Sequence, residues 1–478
     1  MKSLALPMAG GLALGAMAGR ARSAPPSTAD VAWLGPGDAG APGYAFNLRT
    51  RLQPALRALC RTEAGVLEAL DFARREGMPF AVQSSGHCFE GLSQSRDLVI
   101  DVRGLNAMAF AQGDGSVTAG PGTTIGDLNG GAPAGAWVLP AGFCQTVALG
   151  GHVTGGGVGY LSRAFGLAAD HLLTARIATA AGRVLDVGPD VGPDSHGDLF
   201  WALRGGGGGS FGIVTQLTCR LRPVPRAAFV DMVANVPDRE AAAALAETTA
   251  SIADAPRAVT GRIFVTRTQT GGVRINLTFC SVDDGAEEAL AEEARRLLPG
   301  AREKTTRGVY PTVADAIYPR RYAPQWHGRY GSDMLAGPPD ASAWRDALAS
   351  LRSGAGWETS MIVEALGGAI SDKEPEATAF PHRRGTPLLI QYGTRRTDGA
   401  TANRQARSEA APDLADLRGA MRPCATGGAY ICYPERQRPD WQRAYWGANY
   451  PRLQHVKTRY DPANLFRHAL SVEPADTD

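Results

Sequence analysis

Six glycines, Gly150, Gly151, Gly155, Gly156, Gly157 and Gly159, crowd into ten residues, and Cys144 stands just ahead of them. Glycine loses more backbone freedom on folding than any other residue, so such a cluster marks backbone that turns with positive φ or passes close to another group. Exposed N–H groups in such a turn form a concavity suited to a phosphate or an anionic ring system. A flexible linker would be serine-rich and poor in hydrophobics, whereas Val147, Leu149, Val153, Val158, Tyr160 and Leu161 run through this stretch. Gly142–Asp170 therefore reads as an ordered loop around a ligand. Upstream, SSGHCFEG at Ser84–Gly91 sets His87 between Gly86 and Cys88. A lone loop histidine is ordinarily a solvated side chain. Here a second glycine-rich element with its own cysteine follows, which makes the two loops candidates for one site.

The elements around these loops must hold them still. Ala64–Glu76 carries Val66, Leu67, Leu70 and Phe72 at helical spacing, and Gly77 ends it. Pro79–Gln83, Leu98–Val102 and Ser116–Ala119 read as strands. Helix, strand, polar glycine loop and strand make an α+β unit with its functional loop at a strand end. Further on, Phe200–Leu203 is an apolar element leading into Arg204 and the run Gly205–Gly209, and Ile213-Val214 opens another strand. Pro223 and Pro225 then punctuate the chain, which places a domain boundary there. Beyond it, Ala241–Ala253 and Ala286–Leu298 read as amphipathic helices, and Ile263–Val265, Val273–Phe279, Met361–Leu366 and Leu388–Tyr392 as strands.

Composition limits the reading. With 478 residues and 44% hydrophobic side chains the chain can bury two or three cores. Lys and Arg total 49 against 47 Asp and Glu, a net charge of +2, which argues against a nucleic-acid or membrane-surface partner. Seven cysteines at irregular spacing include no CxxC, so neither a zinc site nor a disulfide framework is indicated, and no metal is expected. Cys424 and Cys432 are close enough in sequence to pair. His152 has no ligand partner at metal spacing and reads as structural. Residues 1–24 resemble an export signal: Lys2, a weakly apolar Leu4–Leu14 and a candidate cleavage site at Ala16-Met17-Ala18. The segment is too short and glycine-rich to span a bilayer; a disordered cytosolic tail is the alternative.

QSSGHCFEGLSQSRDLVIDVRGLNAM, GFCQTVALGGHVTGGGVGYLSRAFGLAADHL and FWALRGGGGGSFGIVT together resemble the flavin-binding domain of the berberine bridge enzyme-like oxidases, within the wider PCMH-type, vanillyl-alcohol-oxidase-like flavoproteins. The resemblance runs from about Pro54 to about Val472 and is nearest in pattern to bacterial sugar-alcohol, glycosylated-polyketide and tetramic-acid oxidases. It implies an α+β fold in two parts, a PCMH-type FAD-binding domain over 45–224 completed by a C-terminal return over 425–478. A substrate domain of antiparallel sheet backed by helices is inserted over 225–424.

The resemblance also implies roles. His87 bonds covalently to the flavin 8α-methyl and Cys144 to C6, with Ser84, Ser85, Gly86, Val147, Gly150, Gly151, Thr154, Gly156 and Gly157 around the ring. Gly212, Ile213 and Val214 contact the adenine end, and Asn449 hydrogen-bonds the flavin. Val147 matches the position where valine accompanies oxidase behaviour, so O2 is the expected acceptor and H2O2 the product. GGAYICYPE at Gly427–Glu435 resembles the YxNYPD motif, which makes Tyr433 the catalytic base and Tyr450 a second candidate. Cys432 and Glu435 depart from that motif, and Leu366 stands where glycosylated-polyketide oxidases carry a second tyrosine. Gln391 matches a polar pocket position. A phenol titrating near ~10 is a poor base at neutral pH unless its setting stabilises the phenolate. The reading is an exported FAD-dependent oxidase acting on a hydroxyl-bearing carbon of a small molecule. Oxidative cyclisation of a natural product and a flavin carrier without turnover are the alternatives.

Overall fold

Val31–Leu34, Leu56–Cys60, Leu98–Asp101 and Phe80–Gln83 lie side by side in that order as a four-stranded sheet. The computed structural model describes residues 25–39, 43–111, 113–132, 137–189, 196–224, 226–268, 272–318, 325–354, 356–397 and 413–476. The expected export segment, residues 1–24, lies outside them. Leu98–Asp101 pairs parallel with both neighbours, and parallel pairing requires a crossover, supplied by the helix Glu63–Arg75. Thr62 caps that helix by accepting from the Gly65 amide at 3.2 Å, and Val66, Ala69, Leu70, Phe72 and Ala73 bury its inner face. Buried Arg57 donates to Asp101 and Gln83, both at 2.6 Å, pinning the strand ends from which the His87 loop leaves.

A second sheet is antiparallel, in the order Met108–Phe110, Ser116–Ala119, Ile213–Arg220, Leu172–Ala178 and Val184–Val187. The short helices Leu149–Thr154 and Gly197–Ala202 and the helix Tyr450–Tyr460 share one core through Leu149, Val153, Leu199, Trp201, Leu453 and Val456. The C-terminal stretch thus returns to the N-terminal part.

Between these parts lies a large antiparallel sheet. Its order is Arg302–Gly308, Ala227–Val236, Val273–Ser281, Val259–Arg267, Trp357–Ala365, Leu388–Arg396 and Gly328–Leu335, with Ser353–Gly354 paired to Trp357–Ala365. Alternation sorts its faces. Met232, Ile263, Val265, Ile275, Leu277, Met361 and Val363 pack on the helices Asp238–Asp254, Glu287–Leu297, Ala341–Ser350 and Ala415–Met421. Asp231, Thr278, Arg262 and Glu364, paired in register across four strands, occupy the other face. This is the expected α+β architecture, with an antiparallel sheet and its helices inserted in a two-part domain. The strand expected at Ile263–Val265 is longer, Val259–Arg267, because Arg262 and Thr266 belong to its second face and interrupt the apolar run.

Candidate active site

The two glycine-rich loops and the open face of the large sheet enclose a cleft of about 700 Å³. Ser84, Ser85, Gly86 and His87 line it from one loop, and Cys144, Val147, Gly150, Gly151 and Thr154 from the other. The Ala148 amide donates to Ser85 Oγ at 2.9 Å, joining the loops. The run Gly207–Ser210, with Gly212 and Val214, forms the floor further along. Thr154 O accepts from the Gly205 and Gly207 amides, both at 3.0 Å. Beneath the run, fully buried Lys457 donates from Nζ to Ser210 O at 2.7 Å, Phe466 O at 2.6 Å and Asp461 at 2.6 Å. Gly207 and Gly209 adopt φ of +85° and +77°, which side chains rarely take. A Cβ at Gly151, Gly208 or Gly209 would meet no atom closer than 3.3 Å and would project into the cleft. The backbone is thus bare where a ligand would lie against it.

His87 and Cys144 meet at one hydroxyl. Thr146 Oγ1 lies 3.0 Å from His87 Nε2 and 3.4 Å from Cys144 Sγ. The imidazole stands beside the rings of Tyr44 and Phe46, 5.2 and 5.6 Å between centroids. Burial lowers its pKa to about 4, so it is neutral at pH 7, with the Nε2 side spent on Thr146.

Opposite, Tyr433 presents its ring to the cleft, stacked at 17° on Phe89. Its hydroxyl donates to Glu364 Oε1 at 3.2 Å and Oε2 at 3.4 Å. Glu364 is buried and takes Arg262 Nε at 3.3 Å, while Arg262 Nη1 donates to Tyr318 Oη at 2.8 Å. Burial pushes the Glu364 carboxyl above the usual range and Arg262 pulls it back. Burial, and after it the Glu364 charge, raises the Tyr433 phenol well above its ordinary value. A setting that stabilises the phenolate was the expectation for a tyrosine base; this setting opposes it and offers a proton acceptor instead.

Several expected residues stand away from the cleft. Gly156 and Gly157 back the loop: a Cβ there would meet Phe380 at 3.0 Å and Ala168 at 2.5 Å. Tyr430 Oη accepts from the Gly157 and Val158 amides at 3.0 and 3.1 Å. Ile213 is a buried core side chain. Asn449 Nδ2 donates to Pro375 O at 2.8 Å and Thr378 O at 3.1 Å, clamping a loop. Tyr450 stacks on Trp446 at 5.7 Å, and its hydroxyl accepts from the Glu473 amide at 3.5 Å. Gln391, by contrast, lines the cleft. His152 Nε2 accepts from the Gly142 amide at 2.8 Å, bracing the loop. All seven cysteines are free thiols, Cys424 and Cys432 included; burial pushes Cys432 up to about 12. Glu364, Arg262 and the Gly207–Ser210 floor are residues that sequence reasoning missed as site members. A glutamate inside the buried strand MIVEA was the available signal, since unpaired charges are rarely buried.

Two family models match the chain. The family model described as FAD binding domain matches residues 54–188, and that described as berberine and berberine like matches residues 429–473. Aclacinomycin-N/aclacinomycin-A oxidase of Streptomyces galilaeus is 29% identical over 486 residues, 90% of this chain and 87% of that protein. Chitooligosaccharide oxidase of Gibberella zeae is 27% identical, over 90% of each. In fold, the chain is similar to berberine bridge enzyme from Eschscholzia californica, with a TM-score of 0.78 at 23% identity, covering 89% of this chain and 91% of that one.

Proposed function

The chain belongs to the berberine bridge enzyme-like FAD-linked oxidoreductases, and from that premise we propose an oxidase that removes hydride from a hydroxyl-bearing carbon of a sugar or natural product. The observation that carries this is the Tyr433–Glu364 hydrogen bond, with the Tyr433 ring lining the same cleft as His87 and Cys144 and Glu364 buried behind it. The bare backbone at Gly151 and Gly207–Gly209 suits a flat ring system and a pyrophosphate approaching closely. His87 and Cys144 would tether the isoalloxazine, Ser84, Ser85, Gly150 and Thr154 would surround it, and Gly212 and Val214 would flank the rest of the cofactor. When bound, FAD would accept the hydride and pass the electrons to O2, giving H2O2.

The protein's own part is proton handling. Tyr433 Oη accepts the substrate hydroxyl proton while its own proton moves along the existing hydrogen bond to Glu364. No free phenolate forms, which answers the high phenol pKa in this setting. Arg262 beside Glu364 favours the ionised carboxylate, against the burial that raises its pKa. Gln391 and Phe89 border the same space and orient the substrate. Val147, beside Cys144 in the wall, is the residue assigned to O2 access.

Peroxide formation and anaerobic flavin bleaching, followed across sugars, aromatic alcohols and glycosides, test the reading. A purified yellow protein that yields neither with any member of the panel is not this oxidase. Export belongs to the same proposal, carried by Lys2, Leu4–Leu14 and Ala16-Met17-Ala18. N-terminal sequencing of protein recovered outside the cytoplasm checks it; a mature chain beginning at Met1 rules cleavage out. Among the described residues no helix is long and apolar enough to cross a membrane.

A further inference from the structure

On the cleft face of the large sheet two acceptors have no partner among the described residues. Asp231 Oδ2 and Asn276 Oδ1 are shielded from solvent and receive no hydrogen bond, and both residues line the cleft. Their surroundings are well ordered. Asp231 Oδ1 accepts from the Thr278 hydroxyl at 2.7 Å. Register sets Asp231 opposite Thr278 and Val233 opposite Asn276 on adjacent antiparallel strands. Asp231 and Asn276 are therefore diagonal neighbours on one face, about 7–8 Å apart. An orphaned buried acceptor costs stability, so two of them on a cleft wall point to donors that arrive with a ligand.

The charges already present say what kind of donor. Lys304 stands opposite Asp231 in register, and Arg262 opposite Thr278, so Asp231 has its counter-charges without a cationic ligand. What is missing is O–H. Phe264, Tyr318 and Trp326 line the same cleft and offer apolar faces to the C–H faces of a sugar ring. The row Asp231, Thr278, Arg262, Glu364 crosses three strand spacings, roughly 14 Å at about 4.8 Å each. That exceeds one pyranose ring.

We propose that Asp231 and Asn276 form a distal subsite for the hydroxyls of a carbohydrate unit, while a linked unit of the same molecule presents its reacting carbon to Tyr433. The proposal rests on the oxidase reading and narrows its substrate to a short oligosaccharide or a glycoside with a sugar remote from the oxidised carbon.

The test titrates the holoenzyme with glucose, cellotriose, 4-nitrophenyl glucoside and 4-methoxybenzyl alcohol, reading flavin difference spectra for binding and peroxide for turnover. Wild type should prefer cellotriose or the aryl glucoside over glucose by at least tenfold. Asp231→Leu and Asn276→Ala should each weaken that binding about tenfold, with kcat within threefold and 4-methoxybenzyl alcohol unaffected. Because Asn276→Ala removes an orphaned acceptor, its Tm should hold or rise, whereas Asp231→Leu also gives up the bond from the Thr278 hydroxyl. Dependence on Asp231 for cellotriose supports a free oligosaccharide, and for the aryl glucoside alone a glycosylated aglycone. Equal binding of glucose and cellotriose, unchanged saccharide binding in both variants, or a lowered Tm without a binding change overturns the subsite. Oxidation of the benzyl alcohol with no saccharide binding refutes the subsite and leaves the oxidase standing. Asp231-dependent saccharide binding without any turnover does the reverse.

Discussion

The Tyr433 phenol donates to both carboxylate oxygens of Glu364, at 3.2 and 3.4 Å, from strands and loops 69 residues apart in sequence. The carboxylate is buried behind the ring, and the ring faces the cleft. Removing the hydroxyl while leaving the ring, Tyr433→Phe, should lower the flavin reduction rate by about 10²–10⁴-fold and leave flavin content unchanged. Glu364 has to be ionised to take the relayed proton, and its pKa is raised above the ordinary 4.5, chiefly by burial. The reductive rate should therefore fall as pH drops through that raised value. Glu364→Gln should be slow and lack this acid limb. Stopped-flow reduction across pH reads both, and a Gln variant that keeps the limb assigns it elsewhere.

Gly151 separates cofactor fit from fold stability. It lies in the helix Leu149–Thr154, is exposed to the cleft, and a Cβ there would meet only Ser84 Oγ at 4.0 Å. Alanine is favoured over glycine in helix interiors by up to about 1 kcal/mol. Gly151→Ala should hold or raise the Tm of apoprotein and lower flavin content severalfold, because the methyl occupies ligand space. Melting curves and the ratio of flavin to protein absorbance check the two opposite signs. Full flavin loading would place the ligand away from this helix.

That the two glycine loops, with His87 and Cys144, line one cleft was legible because each loop is written in a contiguous string. The place of Tyr433 in the same cleft was legible through the motif around it. Its partner was not. Arg262 and Glu364 acquire meaning only when Val259–Arg267 pairs with Trp357–Ala365, a register no local pattern carries. Local motifs also fail to tell the inner from the outer side of a loop. That is why Gly156, Gly157, Ile213, Asn449 and Tyr450 were placed at the ligand although they brace the wall behind it. Periodicity marked four strands of the large sheet and two of its helices, while Ala227–Val236, Arg302–Gly308 and Gly328–Leu335 went unread and the sheet as a whole was implied by the resemblance.

Thr146 Oγ1 lies within reach of both His87 and Cys144, and the attachment proposed through these two side chains predicts two independent tethers. Acid precipitation of wild type should leave the yellow chromophore with the protein. Cys144→Ala and His87→Ala should each retain it through the remaining bond, and the double variant should release it. Intact mass after denaturation reads the outcome directly. Complete release from Cys144→Ala alone would contradict the double attachment.

His152 makes the glycine loop acid-sensitive. Its Nε2 accepts from the Gly142 amide, and burial lowers its pKa from 6.5 to about 4. Between those values the unfolded chain binds a proton that the folded chain refuses, so stability is present above pH 6.5 and drains as pH falls toward 4. The loss should be on the order of 2 kcal/mol, discounted for partial exposure of the ring. His152→Gln keeps an acceptor without the titration and should flatten that part of the stability curve. Chemical denaturation at several pH values across the window shows whether it does.

Lys457 is the support beneath the cleft floor. Its ammonium is fully buried, and its three bonds reach Ser210 O, Phe466 O and Asp461. Lys457→Met keeps the stem and removes the charge, leaving Asp461 buried with amide donors from Leu465 and Phe466 and no cation. Breaking a buried pair from one side costs about 3–5 kcal/mol, and Tm should drop accordingly. Pairing the change with Asp461→Asn removes the stranded charge and should recover part of that loss. Neither variant restores the bond to Ser210 O, so amides of Gly207–Ser210 should exchange faster in both and flavin affinity should stay reduced in both. Hydrogen exchange on the two apoproteins separates the outcomes: protection of Gly207–Ser210 equal to wild type in the double variant would mean the floor does not depend on Lys457.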